Sequence, residues 1–425
     1  MKTIEKKYLI PFCLITSLFF LWGLANNMTD TLLSAFKRIM SMSDAQTSLI
    51  QFAFYGSYFC FALPAALFIR KFNYKSGVIL GLSLYALGAI LFLPAASAAS
   101  YAFYLIALYI LAGGCSILET AANPYILSMG TPETATRRLN IAQSFNPIGC
   151  ITGILLSQFF ILSQLNSADA GARAAMSEAE LQAIQQGELN AVTGTYMTLG
   201  FVLLAVMAVM LLVKMPEGGD SSKGSVSESF SRLLKNKRYV CGVLALFFYE
   251  GVQIGVWSFT IRLVMQELGI LEVDAATYYL IGIICFSAAR FLFTWLMKWH
   301  RPSKLLMWAA VAGLVLCTTV VLTPGTGMLN VIALTGISSF MSLMFPTIYG
   351  LALEDVAADD KKIGASGLIM AILGGAVITP VQGLISDAAG IHISYLVPVF
   401  CLVIVLAYAW AVETGKFVKA VSKEK

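Results

Sequence analysis

The sequence predicts an all-α integral membrane protein of twelve spanning helices in two halves of six. Three observations predict it. Of the 425 residues, 58% are hydrophobic and only 12% charged, about half the charge of a soluble domain. Twelve stretches exceed the roughly 18 apolar residues that a bilayer crossing requires. Basic residues gather in alternate loops, as they do when the positive loops stay in the cytoplasm.

The expected spans are 8–36, 46–69, 76–97, 101–128, 140–163, 192–213, 239–265, 275–297, 304–323, 328–352, 364–387 and 391–413. The first has a basic flank and no clear cleavage pattern, so it reads as a retained helix and not as a signal peptide. A long polar insert, residues 163–194, separates the fifth and sixth spans. Within it Ser177 and Glu180 have the spacing of a capping box for a short surface helix. A second polar stretch, KMPEGGDSSKGSVSESFSRLLKNKRYV, separates the sixth and seventh. It divides the chain into an N-terminal half (1–213), a linker (214–238) and a C-terminal half (239–425). Short basic turns, RKFNYK and KWHRPSK, follow the second helix of each half.

With both termini on one side, that side holds 23 of the 28 lysines and arginines. Both termini and the linker are therefore expected in the cytoplasm, with the chain a multi-pass protein of the inner (plasma) membrane. The net charge of +5 is spread over short loops and does not point to nucleic acid. The eight cysteines lie in apolar segments and lack ligand spacing, which disfavours a disulfide framework or a metal site. The two histidines, His300 and His392, stand near helix ends and read as surface or interfacial. No Walker A, H-E-x-x-H or G-x-S-x-G sequence is present, so no enzyme and no cofactor are expected.

Function is sought among polar residues inside the spans. Asp30 closes FFLWGLANNMTD and Glu119 sits in ILAGGCSILETAANPYIL. A carboxylate in hydrocarbon costs several kcal/mol, so such groups face polar cavities or titrate. At 1.5 Å per residue, Asp30 lies about 22 residues from the cytoplasm, in the outer half of the bilayer; Glu119 lies about 18 residues from the outside, in the inner half. Acids at two depths suit stepwise proton transfer.

Trp22, Asn26 and Asp30 share one stripe of the first helix, with Asn27 beside it. Amides that donate and accept, next to an indole, suit a neutral sugar. Asn123 shares a face with Glu119, and Pro124 after it invites a bend. Gln143 and Asn146 stand three apart on the fifth span, before Pro147. On the seventh, Glu250, Gln253 or Ile254, and Trp257 repeat the stripe. Glu250 reads equally as a coupling acid or as a partner for Arg290 or Arg262. Ser338, Ser342, Thr379 and Gln382 are weaker candidates, since hydroxyls in membrane helices often bond their own backbone.

The strings FFLWGLANNMTD, LETAANPYIL, RLNIAQSFNPIG, WSFTIR, PTIYGLAL and GGAVITPVQGLISDAAG occur in order along the chain. Together they resemble the fucose–galactose–glucose branch of the major facilitator superfamily. That resemblance implies the major facilitator fold and proton-coupled import of a neutral monosaccharide, L-fucose first. It assigns proton coupling and sugar recognition to Asp30 and Glu119, amide contacts to Asn27, Gln143 and Asn146, and cavity tryptophans to Trp22 and Trp257. Fucose carriers of the branch have a tyrosine just before PTI; this chain has Phe345 there. Glu250 is an addition.

The alternatives are a glucose, galactose or N-acetylhexosamine permease of the same branch and, from another class, a membrane sugar sensor without turnover. A sensor would carry a soluble output domain, and the tails here are short. Partners are then a sugar, a proton and lipid, and a monomer is expected because no dedicated interface is visible.

Overall fold

Twelve helical spans of the computed structural model have the length and hydropathy to cross a membrane: Lys6–Ala25, Phe52–Lys71, Tyr74–Ser97, Tyr101–Ser128, Pro132–Phe160, Glu178–Leu212, Lys237–Leu268, Asp274–Leu296, Pro302–Leu322, Met328–Leu353, Ala358–Ala389 and Ile391–Glu413. They match the twelve expected stretches one for one. The structure describes residues 4, 6–39, 44–98, 100–166, 173, 175–215 and 225–417. At 26, 29–38, 44–49, 51, 162, 272 and 273 it describes the backbone alone. Every described element is helical.

Several spans are not single rods. The fifth breaks between Ala135–Gln143 and Asn146–Phe160, and the tenth between Met328–Met341 and Met344–Leu353. Proline lies just past each break, at Pro147 and Pro346. The ring carries no N–H and crowds the carbonyl four residues back, which opens the ladder there. The bend expected at Pro124 does not end the helix, which runs unbroken from Tyr101 to Ser128. Membrane helices tolerate such a proline when neighbouring groups satisfy the freed carbonyl.

The chain forms two compact units. One contains 8–125 and 145–218; the other contains 1–7, 126–144 and 219–425. In the first unit, the first and fifth spans meet through glycines. A Cβ at Gly23 would lie 2.0 Å from the Asn146 carbonyl oxygen, and one at Gly149 would lie 1.9 Å from that of Phe20. Only bare backbone permits so close a crossing.

The insert before the sixth span is built into this unit. Ser177 and Glu180 do form a capping box, but the helix it opens is not short: it continues unbroken from Glu178 to Leu212. No proline interrupts that run, so polar insert and apolar span share one rod. A buried Arg173–Glu188 pair, at 2.5 and 2.9 Å, pins the insert, and the Asn166 N–H donates to Glu188 at 2.8 Å.

In the other unit, the linker helix Val226–Lys235 is held by Arg232, which donates twice to Asp360 at 2.7 and 2.8 Å. Arg238 binds both Glu354 and Asp355. His392 is buried at 7% exposure, contrary to the surface reading. Its Nε2 lies 2.8 Å from Glu267, and its Nδ1 is 2.9 Å from the Val320 carbonyl. Glu267 in turn accepts from the N–H groups of Gly325 and Gly327, so this acid ties three helix ends together.

Candidate functional site

Within the first unit the fourth span supplies Glu119 and Asn123, one helical turn apart. Both are buried, Glu119 at 7% exposure. The Asn123 Nδ2 donates to the Glu119 carbonyl at 3.2 Å, which turns the amide along the helix toward the acid. The first span brings Trp22, whose Nε1 donates to the Tyr58 hydroxyl at 2.7 Å. Phe19 stacks on the indole, with ring centroids 5.4 Å apart. Tyr58 is buried, and so is Cys115, one helical turn before Glu119 on the fourth span. Ser116, three residues before Glu119, donates to the Tyr58 carbonyl at 3.0 Å and fixes the second span against the fourth.

Asn146 closes the group from the fifth span, where its Nδ2 donates to the Phe19 carbonyl at 3.2 Å. Asn27 is buried on the first span. The side chains of Asn26 and Asp30 lie outside the described residues.

Tyr58 was not among the expected site residues. Its one polar atom is embedded in QFAFYGSYFC, and its partners lie 36 and 58 positions away in sequence. The adjacent Gly56 and Ser57, unusual in so apolar a run, were the available signal. Tyr58→Phe is expected to leave the buried indole N–H without its acceptor, at a cost of about 1–3 kcal/mol. A melting curve in detergent checks this; an unchanged midpoint would mean that the indole finds another acceptor.

The second unit holds Gln143, Glu250, Gln253, Trp257 and Phe345. Glu250 is buried and electrostatically coupled to Arg290. Arg262 does not share that role: it lies over the Phe259 ring and 4.0 Å from Asp387 at an exposed position. Gln253 is held by the Tyr249 hydroxyl, which also donates toward the Met341 carbonyl at 3.0 Å. Trp257 meets Phe286 edge-on at 5.1 Å. Phe345 lies between Tyr249 and Tyr349, at 6.5 and 6.2 Å.

Among the described residues, the Trp257 Nε1, both polar atoms of the Gln382 amide, and the hydroxyls of Thr379 and Ser342 are buried without a protein partner. Neutral donors and acceptors left over in an apolar interior are what a hydroxyl-rich ligand satisfies. Arg290 bonds backbone carbonyls at Ser342 (2.5 Å) and Gln143 (3.0 Å).

A sequence model of the Major Facilitator Superfamily matches residues 15–370. The L-fucose-proton symporter of Haemophilus influenzae is 42% identical over 97% of this chain and 99% of its own length. That of Escherichia coli is 38% identical over 95% and 93%. Among solved structures, the transporter FucP in the outward conformation superposes with a TM-score of 0.89 at 38% identity, covering 96% of this chain and 99% of that one.

Proposed function

Because this chain belongs to the major facilitator superfamily, we propose that it imports a neutral monosaccharide, L-fucose first, together with a proton. The observation that carries the chemistry is Glu119, an acid buried beside a tryptophan–tyrosine pair and amides. A neutral sugar needs no fixed countercharge, and the groups around the acid are neutral donors and acceptors. The near full-length similarity to L-fucose-proton symporters directs the substrate.

In this reading Asp30 and Glu119 carry the proton. Trp22, Asn26, Asn27, Asn123, Gln143, Asn146, Gln253 and Trp257 contact the sugar, and Glu250 and Phe345 tune its identity. The halves 1–213 and 239–425 rock about the site, joined by the cytoplasmic linker, so that access alternates. The chain works as a monomer in the inner membrane with both termini in the cytoplasm.

Right-side-out vesicles test the reading. L-fucose added outside is expected to alkalinise the medium as protons follow it inward. Galactose, glucose and N-acetylglucosamine serve as comparisons. A response to another sugar alone would move the substrate and direct attention to Phe345 and Glu250. Sugar accumulation without any pH change would remove the proton from the mechanism.

A further inference from the structure

The carbonyls that Arg290 binds have a common origin. In an α-helix the carbonyl of residue i accepts from the N–H of residue i+4. Residue 147 follows Gln143 by four and is proline; residue 346 follows Ser342 by four and is also proline. Neither can donate. The two prolines thus orphan one carbonyl each, at the breaks of the fifth and tenth spans. In a membrane interior an unsatisfied carbonyl is costly. The Arg290 guanidinium meets both, through Nε to Ser342 and Nη1 to Gln143. It is 3% exposed and lies 4.6 Å over the Phe286 ring. Among side chains, only the planar arginine fork offers donors spread widely enough to serve two carbonyls while packed on a ring.

The fifth-span break is also where the chain passes from one compact unit to the other: residues 126–144 belong with 219–425, and residues 145–218 with 8–125. Arg290 therefore grips the last turn of a short helix that has left its own half. Around it, Asn140 donates to the Thr347 hydroxyl at 3.3 Å, and Thr136 packs on the backbone at Gly350.

We propose that Arg290 is a conformational latch, a positioning residue that holds the 135–144 helix against the eighth and tenth spans by capping the two proline-orphaned carbonyls. The inference rests on the reading that the halves rock during transport, because parting 1–213 from 239–425 must separate Gln143 from Arg290. Each separation leaves the Gln143 carbonyl without this donor, so Arg290 biases the equilibrium toward the arrangement seen here.

The test is a labelling cycle that needs no sugar, so it stands or falls apart from the fucose assay. In a background with the native cysteines replaced, Thr136→Cys reports opening through its reaction with a water-soluble maleimide applied to inside-out vesicles. Arg290→Met is expected to speed labelling by roughly 10- to 100-fold, the size expected for losing a charged hydrogen bond to a carbonyl. Arg290→Lys, which keeps the charge but not the fork, is expected to fall between the two and serves if the methionine variant does not fold.

The decisive pair is Pro147→Ala, alone and with Arg290→Met. Alanine supplies an N–H that takes the Gln143 carbonyl away from Arg290, so Pro147→Ala is expected to speed labelling by itself, and adding Arg290→Met to it is expected to add less than the same change adds to the wild type. Arg290→Met speeding labelling equally in both backgrounds would overturn the proposal and leave Arg290 a packing residue. Labelling unchanged in both single variants, Arg290→Met and Arg290→Lys, would overturn it too.

Discussion

Glu119→Gln is expected to reduce L-fucose-driven proton uptake to background while the protein remains folded. The amide has the carboxylate's shape and can still hydrogen bond, but it cannot carry a proton. Downhill exchange of labelled for unlabelled L-fucose needs no net proton movement, so it is expected to persist in the variant. Wild-type accumulation should decline as the external pH rises, because fewer carriers load a proton; exchange by the variant should stay flat over the same range. Stability supplies the control. Neutralising a buried acid removes a desolvation cost, so the melting midpoint is expected to hold or rise. Asp30→Asn is expected to abolish coupling as well, if protons pass between acids at two depths. Proton uptake left intact by both variants would sink the coupling role.

The spans were legible because hydropathy acts over twenty residues at a time, and twelve apolar runs became twelve helical spans, some of them broken. The stripe of Glu119 and Asn123 was legible because residues four apart share a helix face. What the sequence concealed depends on partners remote in the chain. Tyr58 reads as one more aromatic until Trp22 donates to it. His392 reads as a helix-end histidine until Glu267 and Val320 enclose it. The prolines at 147 and 346 were visible, and so was the loss of an N–H at each. That a single arginine on the eighth span answers both losses follows only from the packing. The extension of the sixth helix through its polar insert was missed for the opposite reason: composition changes sharply at about residue 192, but the backbone meets no breaker there.

The close crossing of the first and fifth spans places Trp22 and Asn146, and it depends on the absence of a side chain at Gly149. Gly149→Ala puts a methyl group 1.9 Å from the Phe20 carbonyl oxygen. Real contacts of this kind are about 3.4 Å or longer, so the helices must separate by more than 1 Å or bend. Overpacking of this kind costs about 1–3 kcal/mol. The displacement would also strain the bond from Asn146 to the Phe19 carbonyl and move Trp22 relative to Tyr58. The variant is therefore expected to melt lower and to bind sugar more weakly, whereas a change confined to stability would leave the affinity of the folded fraction intact. Gly194→Ala is the matched control. Nothing lies within 4 Å of a Cβ there, and replacing a mid-helix glycine by alanine gains roughly 0.5–1 kcal/mol. Opposite signs at two glycines, with sugar affinity falling only at 149, would tie the site to the helix crossing. Equal behaviour at both would mean that the crossing adapts and that Trp22 and Asn146 are positioned by other contacts.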